Sequence, residues 1–157
     1  MTKNVDLLKN TKEKAFIICV DTALRVLLER GIMPDVTIVM DGSDLNFRHF
    51  EGIDPTPVPL IFNSTANADM VKLHKGRKMS VNIRVALMRW LENITGYEVG
   101  TLEQTGPSVA NIALQVAKKT GANPIILIGQ DLAYTNGNSH ASGTALCRKD
   151  VVKEKNP

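Results

Sequence analysis

Polar side chains follow three apolar segments of the chain, each at the point where a strand is predicted to end. Asp21 and Thr22 follow the first segment, Asp41 follows the second, and Gln130 and Asp131 follow the last. Because parallel strands place their carboxyl ends at one edge of a sheet, we expect these side chains to meet at a common rim. The alternative is that Asp21 only caps a helix and Asp41 only begins a turn.

Carboxylates that meet at such a rim have two chemical uses. They hold Mg²⁺ together with phosphate oxygens, or they accept hydrogen bonds from ribose hydroxyls. Asp44 lies in the turn-forming loop after Asp41, so the candidate metal ligands are Asp41, Asp44 and Asp131. Asp21, Thr22, Asp41 and Gln130 are the candidate nucleotide-binding residues of the rim.

The segment 105–108, Thr-Gly-Pro-Ser, precedes a predicted helix and is a candidate anion site. Pro107 suits the first helical position, and either Gly106 or Ser108 can cap the helix. The free backbone N–H groups of the first turn attract a phosphate. The alternative is that the loop serves only as a cap.

A histidine lies in the polar cluster after the last apolar segment. His140 has the chemistry of a general acid, a general base or a phosphate donor, although an isolated surface histidine is usually inert. Asp131 and His140 are therefore the candidate catalytic residues. His49 and His74 are interpreted as bystanders.

The elements that position these residues alternate between strand and helix. Apolar runs over 15–20, 36–40, 58–62 and 124–129 predict strands, with a weaker strand over 78–83. The run 124–129 is apolar throughout, which is typical of a strand buried on both faces of a parallel sheet. Helical stripes between these runs predict right-handed crossovers. We therefore expect an α/β, three-layer, Rossmann-like domain with a mainly parallel sheet.

Composition excludes several classes of protein. The 157 residues are 43% hydrophobic and hold no apolar run long enough for a bilayer span, which favours one soluble domain over 1–157 and no membrane partner. The first residues lack the apolar core of a signal peptide, so the cytoplasm is the expected location. A net charge of +3 and 4% aromatic residues argue against a nucleic-acid partner. Cys19 and Cys147 fit free thiols, with Cys19 in the core.

Sequence motifs exclude further cofactors. The chain has no Gly-x-Gly-x-x-Gly fingerprint and no Gly-x₄-Gly-Lys-Ser/Thr loop, which disfavours an NAD enzyme and a P-loop NTPase. Spaced Cys and His ligands for a structural zinc are also missing. We expect no covalently bound cofactor, and Mg²⁺ remains the one candidate ion.

Four motifs together resemble the motility-associated factor family, which includes flagellin glycosyltransferases, and the related 6-hydroxymethylpterin diphosphokinase-like proteins. The resemblance spans nearly the whole chain. It is carried by Val20-Asp-Thr-Ala-Leu24, by Pro34-Asp35 with Met40-Asp41, by Gly106-Pro-Ser-Val109, and by Ile128-Gly-Gln-Asp-Leu-Ala-Tyr-Thr-Asn-Gly137 ending in His140.

This family is similar in turn to bacterial sialyltransferases with a Rossmann-like fold and CMP-sugar donors. The resemblance implies that Gly106 and Ser108 lie near the donor phosphates. It also implies that Asp131, Tyr134 and His140 line the donor or acceptor pocket. Relatives carry a Gly-Pro-Ser-Leu loop after a first strand that lies upstream of Met1 here, so we expect this chain to be a fragment of a longer protein.

Three functions are consistent with these observations. The first is transfer of a nonulosonic-acid sugar from a CMP donor to a protein hydroxyl, such as one on flagellin. The second is Mg²⁺-dependent transfer of pyrophosphate from ATP to 6-hydroxymethylpterin, with Asp41, Asp44 or Asp131 as metal ligands. The third is a non-catalytic nucleotide-binding or interaction module.

Overall fold

Five parallel strands form one sheet whose order follows the chain, β1-β2-β3-β4-β5. The computed structural model describes residues 5–83, 86–97, 99–103, 106, 108–130 and 144. The strands are β1 (Ile18–Val20), β2 (Val36–Val39), β3 (Leu60–Asn63), β4 (Lys78–Ile83) and β5 (Thr101–Leu102). The four strands predicted before residue 84 are therefore confirmed, and β5 lies in a segment that the sequence left as an extended connector.

A helix follows almost every strand. A 3₁₀ helix over Val5–Thr11 precedes β1, and five α-helices come after it: α1 (Asp21–Glu29), α2 (Asp44–Phe47), α3 (Ala68–Leu73), α4 (Ala86–Thr95) and α5 (Val109–Lys119). In α1 the apolar stripe is buried, and the chain turns at Gly31 with a positive φ of 69°, the left-handed stop that the sequence indicated. The short α2 was not predicted, because its residues favour turns. Within the described residues, no helix is long and apolar enough to cross a membrane.

Apolar side chains alternate between the two faces of the sheet and build two cores. On β2, Val39 joins a first core with Leu24 of α1 and Met70 of α3. Its neighbour Ile38 joins a second core with Ile112 of α5. Because helices cover both faces, the sheet is the middle of three layers. The α/β, Rossmann-like fold class is confirmed.

The predicted strand over 124–129 is wrong. Residues 121–130 are described and form no strand, and the side chains of Ile126 and Leu127 are 78% and 62% exposed. An apolar run shows a tendency to be buried, but a strand also needs a partner whose backbone groups complete the ladder. The run has no such partner among the described residues.

Two residues with reactive side chains are structural. Cys19 lies in the first core, where burial raises the pKa of its thiol to about 12, so it is an inert core residue, as predicted. His74 is also buried. It accepts from the N–H of Gly76 at Nδ1 and lies 2.6 Å through Nε2 from the carbonyl of Val58, which fits a neutral ring donating to that carbonyl. Burial lowers its pKa, which keeps the ring uncharged. Cys147 lies outside the described residues.

Truncating the first core should destabilise the protein strongly. Leu60 on β3 is fully buried, so Leu60→Ala is expected to lower the free energy of unfolding by about 2–5 kcal/mol. The matched control is Leu45→Ala in α2, where the side chain is 48% exposed, and its effect should stay within about 0.5 kcal/mol. Urea denaturation of both variants measures the difference. Equal effects would contradict the assignment of Leu60 to the core.

Candidate functional site

The ends of β1 and β2 bring two carboxylates to one edge of the sheet. Asp21 directly follows β1, Asp41 lies two residues beyond Val39, and the two strands are paired and parallel. The charge of Asp41 contributes to the raised pKa of Asp21, so the two groups are electrostatically coupled. We call this edge the carboxyl rim. It comprises the residues that follow β1 to β4: Asp21, Asp41, Asn63 and the segments that adjoin them.

Asp21 is the most unusual polar group on the carboxyl rim. Its side chain is only 3% exposed, Oδ1 accepts from the N–H of Thr22 at 2.7 Å, and buried Oδ2 has no partner among the described residues. Burial raises its pKa to about 6. The N-cap of α1 is Val20, without a side-chain cap bond, so Asp21 is not the N-cap residue. A strained, coupled carboxylate at a strand end is a candidate functional group.

The loops after β2 and β3 are joined by hydrogen bonds. Asp41 Oδ1 accepts from the N–H of Ser43 at 2.8 Å, and its carbonyl accepts from the N–H of Asn67 at 3.1 Å. Asn67 Nδ2 donates to Asp44 Oδ1 at 3.1 Å, while its own Oδ1 caps α3. Each carboxylate therefore has one oxygen fixed in place by this network.

Close packing fixes the same two loops. Thr65 Oγ1 donates to the carbonyl of Met40 at 3.2 Å and accepts from Asn63 Nδ2 at 2.7 Å. A Cβ on Gly42 would lie 2.6 Å from the carbonyl oxygen of Thr65, which explains the glycine at this position. Asn63 is 3% exposed, and its Oδ1 is buried with no partner in the described part of the chain.

The predicted metal ligands are only partly described. Asp41 and Asp44 follow β2 and are exposed, and their carboxylate oxygens are the type of donor that Mg²⁺ prefers. Asp131 lies outside the described residues. Within residues that the structure does describe, no three His, Cys, Asp or Glu side chains are grouped to hold a metal ion. The magnesium site therefore stays a prediction.

The candidate anion loop precedes α5. Ser108 is the N-cap of α5, and its Oγ accepts from the N–H of Ala110 at 3.3 Å, so its hydroxyl does cap the helix. Gly106 has a φ of 128°, which a residue with a side chain rarely adopts. A Cβ there would also lie 2.7 Å from Nδ2 of Asn111, which places an amide beside the loop. Thr105 and Pro107 lie outside the described residues.

The remaining predicted site residues have mixed outcomes. Thr22 lies in the first turn of α1 on the carboxyl rim, and Gln130 is exposed after a run that forms no strand. Asp131, Tyr134 and His140 fall outside the described residues, so their roles stay predictions. Sequence reasoning also missed Asn63 as a candidate. The rule applied to Asp41 would have found it, since Asn63 likewise ends a strand.

The fold and the carboxyl rim together define an α/β domain of the kind that binds ligands at the carboxyl ends of parallel strands. Residues 1–137 match the model of the family described as 6-hydroxymethylpterin diphosphokinase MptE-like. The chain therefore belongs to this family.

A solved structure shares the fold. It is the MAf glycosyltransferase from Magnetospirillum magneticum AMB-1, which superposes with a TM-score of 0.61 at 25% sequence identity. The similarity covers 74% of this chain and 19% of that longer chain. A comparison with curated proteins found no match.

Replacing Asp21 should change how stability depends on pH. The folded state raises the pKa of Asp21 from about 3.8 to about 6, so this carboxyl destabilises the fold increasingly as pH rises from about 4 through 6. Asp21→Asn removes that effect. We expect the variant to exceed the wild type at pH 7.5 by up to about 3 kcal/mol in unfolding free energy, with the difference vanishing below about pH 4. Urea denaturation across this range measures it. A variant less stable than the wild type at every pH would contradict the assignment.

Gly42→Ala should disturb the junction of the two rim loops. Its Cβ would press on the carbonyl of Thr65, and overpacking of this kind costs about 1–3 kcal/mol. The control is Gly100→Ala, since a Cβ there meets nothing within 4 Å. Thermal melts should show a clearly lower Tm for Gly42→Ala than for the control. A Tm equal to that of Gly100→Ala would show that the loops are not held together at this point.

Proposed function

We propose that this chain forms the nucleotide-binding part of a glycosyltransferase that acts in the cytoplasm. Its donor is a CMP-linked nonulosonic acid and its acceptor is a protein hydroxyl, such as one on flagellin. The similarity to the solved MAf glycosyltransferase, which extends over 74% of this chain, carries the proposal. The carboxyl rim supports it, because its unpartnered groups lie where ligands of such folds bind.

In this proposal the anion loop stabilises the departing phosphate. The first N–H groups of α5 have no intrahelical partners, and the dipole of the helix places about half a positive charge at that end. Gly106 allows a phosphate to approach the backbone, and the Ser108 hydroxyl adds a donor. Stabilising the leaving group in this way requires no covalent intermediate.

Asp21 has a separate role as an acceptor. Above pH 6 its carboxyl is ionised, and Oδ2 can accept a hydrogen bond from a ribose or acceptor hydroxyl. Asp131 and His140 remain the proposed catalytic residues, with His140 taking the proton of the acceptor hydroxyl. Tyr134 and Gln130 complete the proposed donor pocket.

Ser108→Ala tests the role of the anion loop. We expect CMP affinity to fall about fivefold, the effect of losing one hydrogen bond of about 1 kcal/mol, together with a lower Tm from the lost cap. The control is Thr120→Ala, which removes a hydroxyl bonded to the carbonyl of Ala117 at the other end of α5. That variant should lower Tm without changing CMP affinity. Calorimetric titration and thermal melts of each variant measure both quantities. Unchanged CMP affinity in Ser108→Ala would leave the loop with a capping role alone.

The family description favours a second candidate, the Mg²⁺-dependent transfer of pyrophosphate from ATP to 6-hydroxymethylpterin. Asp41, Asp44 and Asp131 would then hold the ion, which would bridge the phosphates of ATP. The two candidates differ in the nucleotide they need. Tight binding of ATP only with Mg²⁺ favours the second, and metal-independent binding of CMP favours the first.

A further inference from the structure

A pocket of about 140 Å³ lies between β4 and α4. Its floor is formed by β4, one side by the inner residues of α4, and another by Ser64, which directly follows the last residue of β3. The pocket therefore adjoins the carboxyl rim. None of the candidate site residues considered above lines it.

The polar lining of this pocket consists of an amide and a carboxylate. Asn82 is 4% exposed, its Nδ2 donates to Glu92 Oε1 at 2.7 Å, and its Oδ1 is buried without a partner among the described residues. Glu92 Oε1 also lies 3.5 Å from the backbone nitrogen of Val99. Because that N–H and the Asn82 amide both approach Oε1, Glu92 is held in place and Oε2 is left to accept from a ligand. The unpaired groups of the pocket are thus acceptors.

The other side of the pocket is apolar. Met88 and Leu91 of α4 line it and are half-buried, and no residue of α4 is fully buried. A volume of about 140 Å³ is the space of four or five water molecules at about 30 Å³ each, which suits a single ring and excludes a whole nucleotide. The carboxylate of Glu92 disfavours a phosphate or a carboxylate ligand.

We propose that this pocket binds an aminopyrimidine ring, whose amino group donates to Asn82 Oδ1 and Glu92 while the ring lies against Met88 and Leu91. The orphaned Oδ1 of Asn82 gains its missing partner, which removes the cost of burying it unpaired. A ring that presents a carbonyl at the same place would bring two acceptors together and be rejected.

This inference rests on the proposed function for the source of the ring. Cytosine in CMP and the pterin of the second candidate both contain an aminopyrimidine, so the chemistry is shared and the two sources are separated by experiment. In either case Ser64 and the carboxyl rim lie beside the ring, where the rest of the ligand would extend.

Calorimetric titration with CMP, UMP and 6-hydroxymethylpterin tests the proposal. UMP carries a carbonyl where CMP carries its amino group, so the wild type should bind CMP at least about tenfold more tightly. Glu92→Gln keeps the shape but replaces one acceptor with a donor, and it should bring the CMP and UMP affinities within about threefold of each other. The control Glu51→Gln changes an exposed carboxylate outside the pocket and should leave the ratio unchanged.

A second variant protects the test against misfolding of Glu92→Gln. Ser80→Val fills part of the pocket from β4 without removing either partner of the Asn82–Glu92 hydrogen bond, and it should weaken binding of the ring at least about fivefold. If pterin alone binds, and both pocket variants weaken it, the inference stands while the CMP-donor proposal fails. If CMP binds with equal affinity to UMP and neither variant changes it, the inference fails while the proposed function stands. If neither ligand binds the folded wild type, both are overturned.

Discussion

Parallel pairing is the constraint on which the rest of this structure depends. Every strand runs in the same direction, and the pairs Val20↔Ile38 and Val39↔Phe62 keep the strand ends close in register. The residues that follow these strands must therefore lie at one edge, whatever their side chains are. Polar side chains at those positions turn a topological edge into a rim that can bind a ligand.

The carboxyl rim opposes the stability of the fold. Asp21 Oδ2 and Asn63 Oδ1 are buried without partners in the described part of the chain, and each such atom destabilises the folded state by about 1–3 kcal/mol. The apolar cores on both faces of the sheet offset that loss. Polar groups that violate the usual pattern of burial are expected where a protein uses them, because the ligand supplies the missing hydrogen bonds.

The sequence was informative wherever a local pattern decides the structure. Apolar runs predicted β1 to β3, and the turn residues after them correctly located the ends of the strands. The run 124–129 failed because its pattern reports burial but not the identity of a partner strand. The pair Asn82 and Glu92 was missed for a similar reason, since residues ten apart meet only once β4 and α4 have packed together. A polar side chain in a strand carries no sequence signal of its own.

The two sides of the candidate site differ in how firmly they are held. The loops after β2 and β3 are fixed by backbone contacts, from Asn67 to Asp41 and from Gly42 to Thr65, which hold the groups of the carboxyl rim before any ligand arrives. Helix α4 buries none of its residues fully, so apolar packing contributes less to holding it against the sheet. A ring placed between β4 and α4 would add the contacts that this helix lacks. Binding would then be most favourable for a ligand that contacts the fixed rim and the α4 wall at once, because the pre-formed rim reduces the entropy lost on binding and the wall gains buried apolar area.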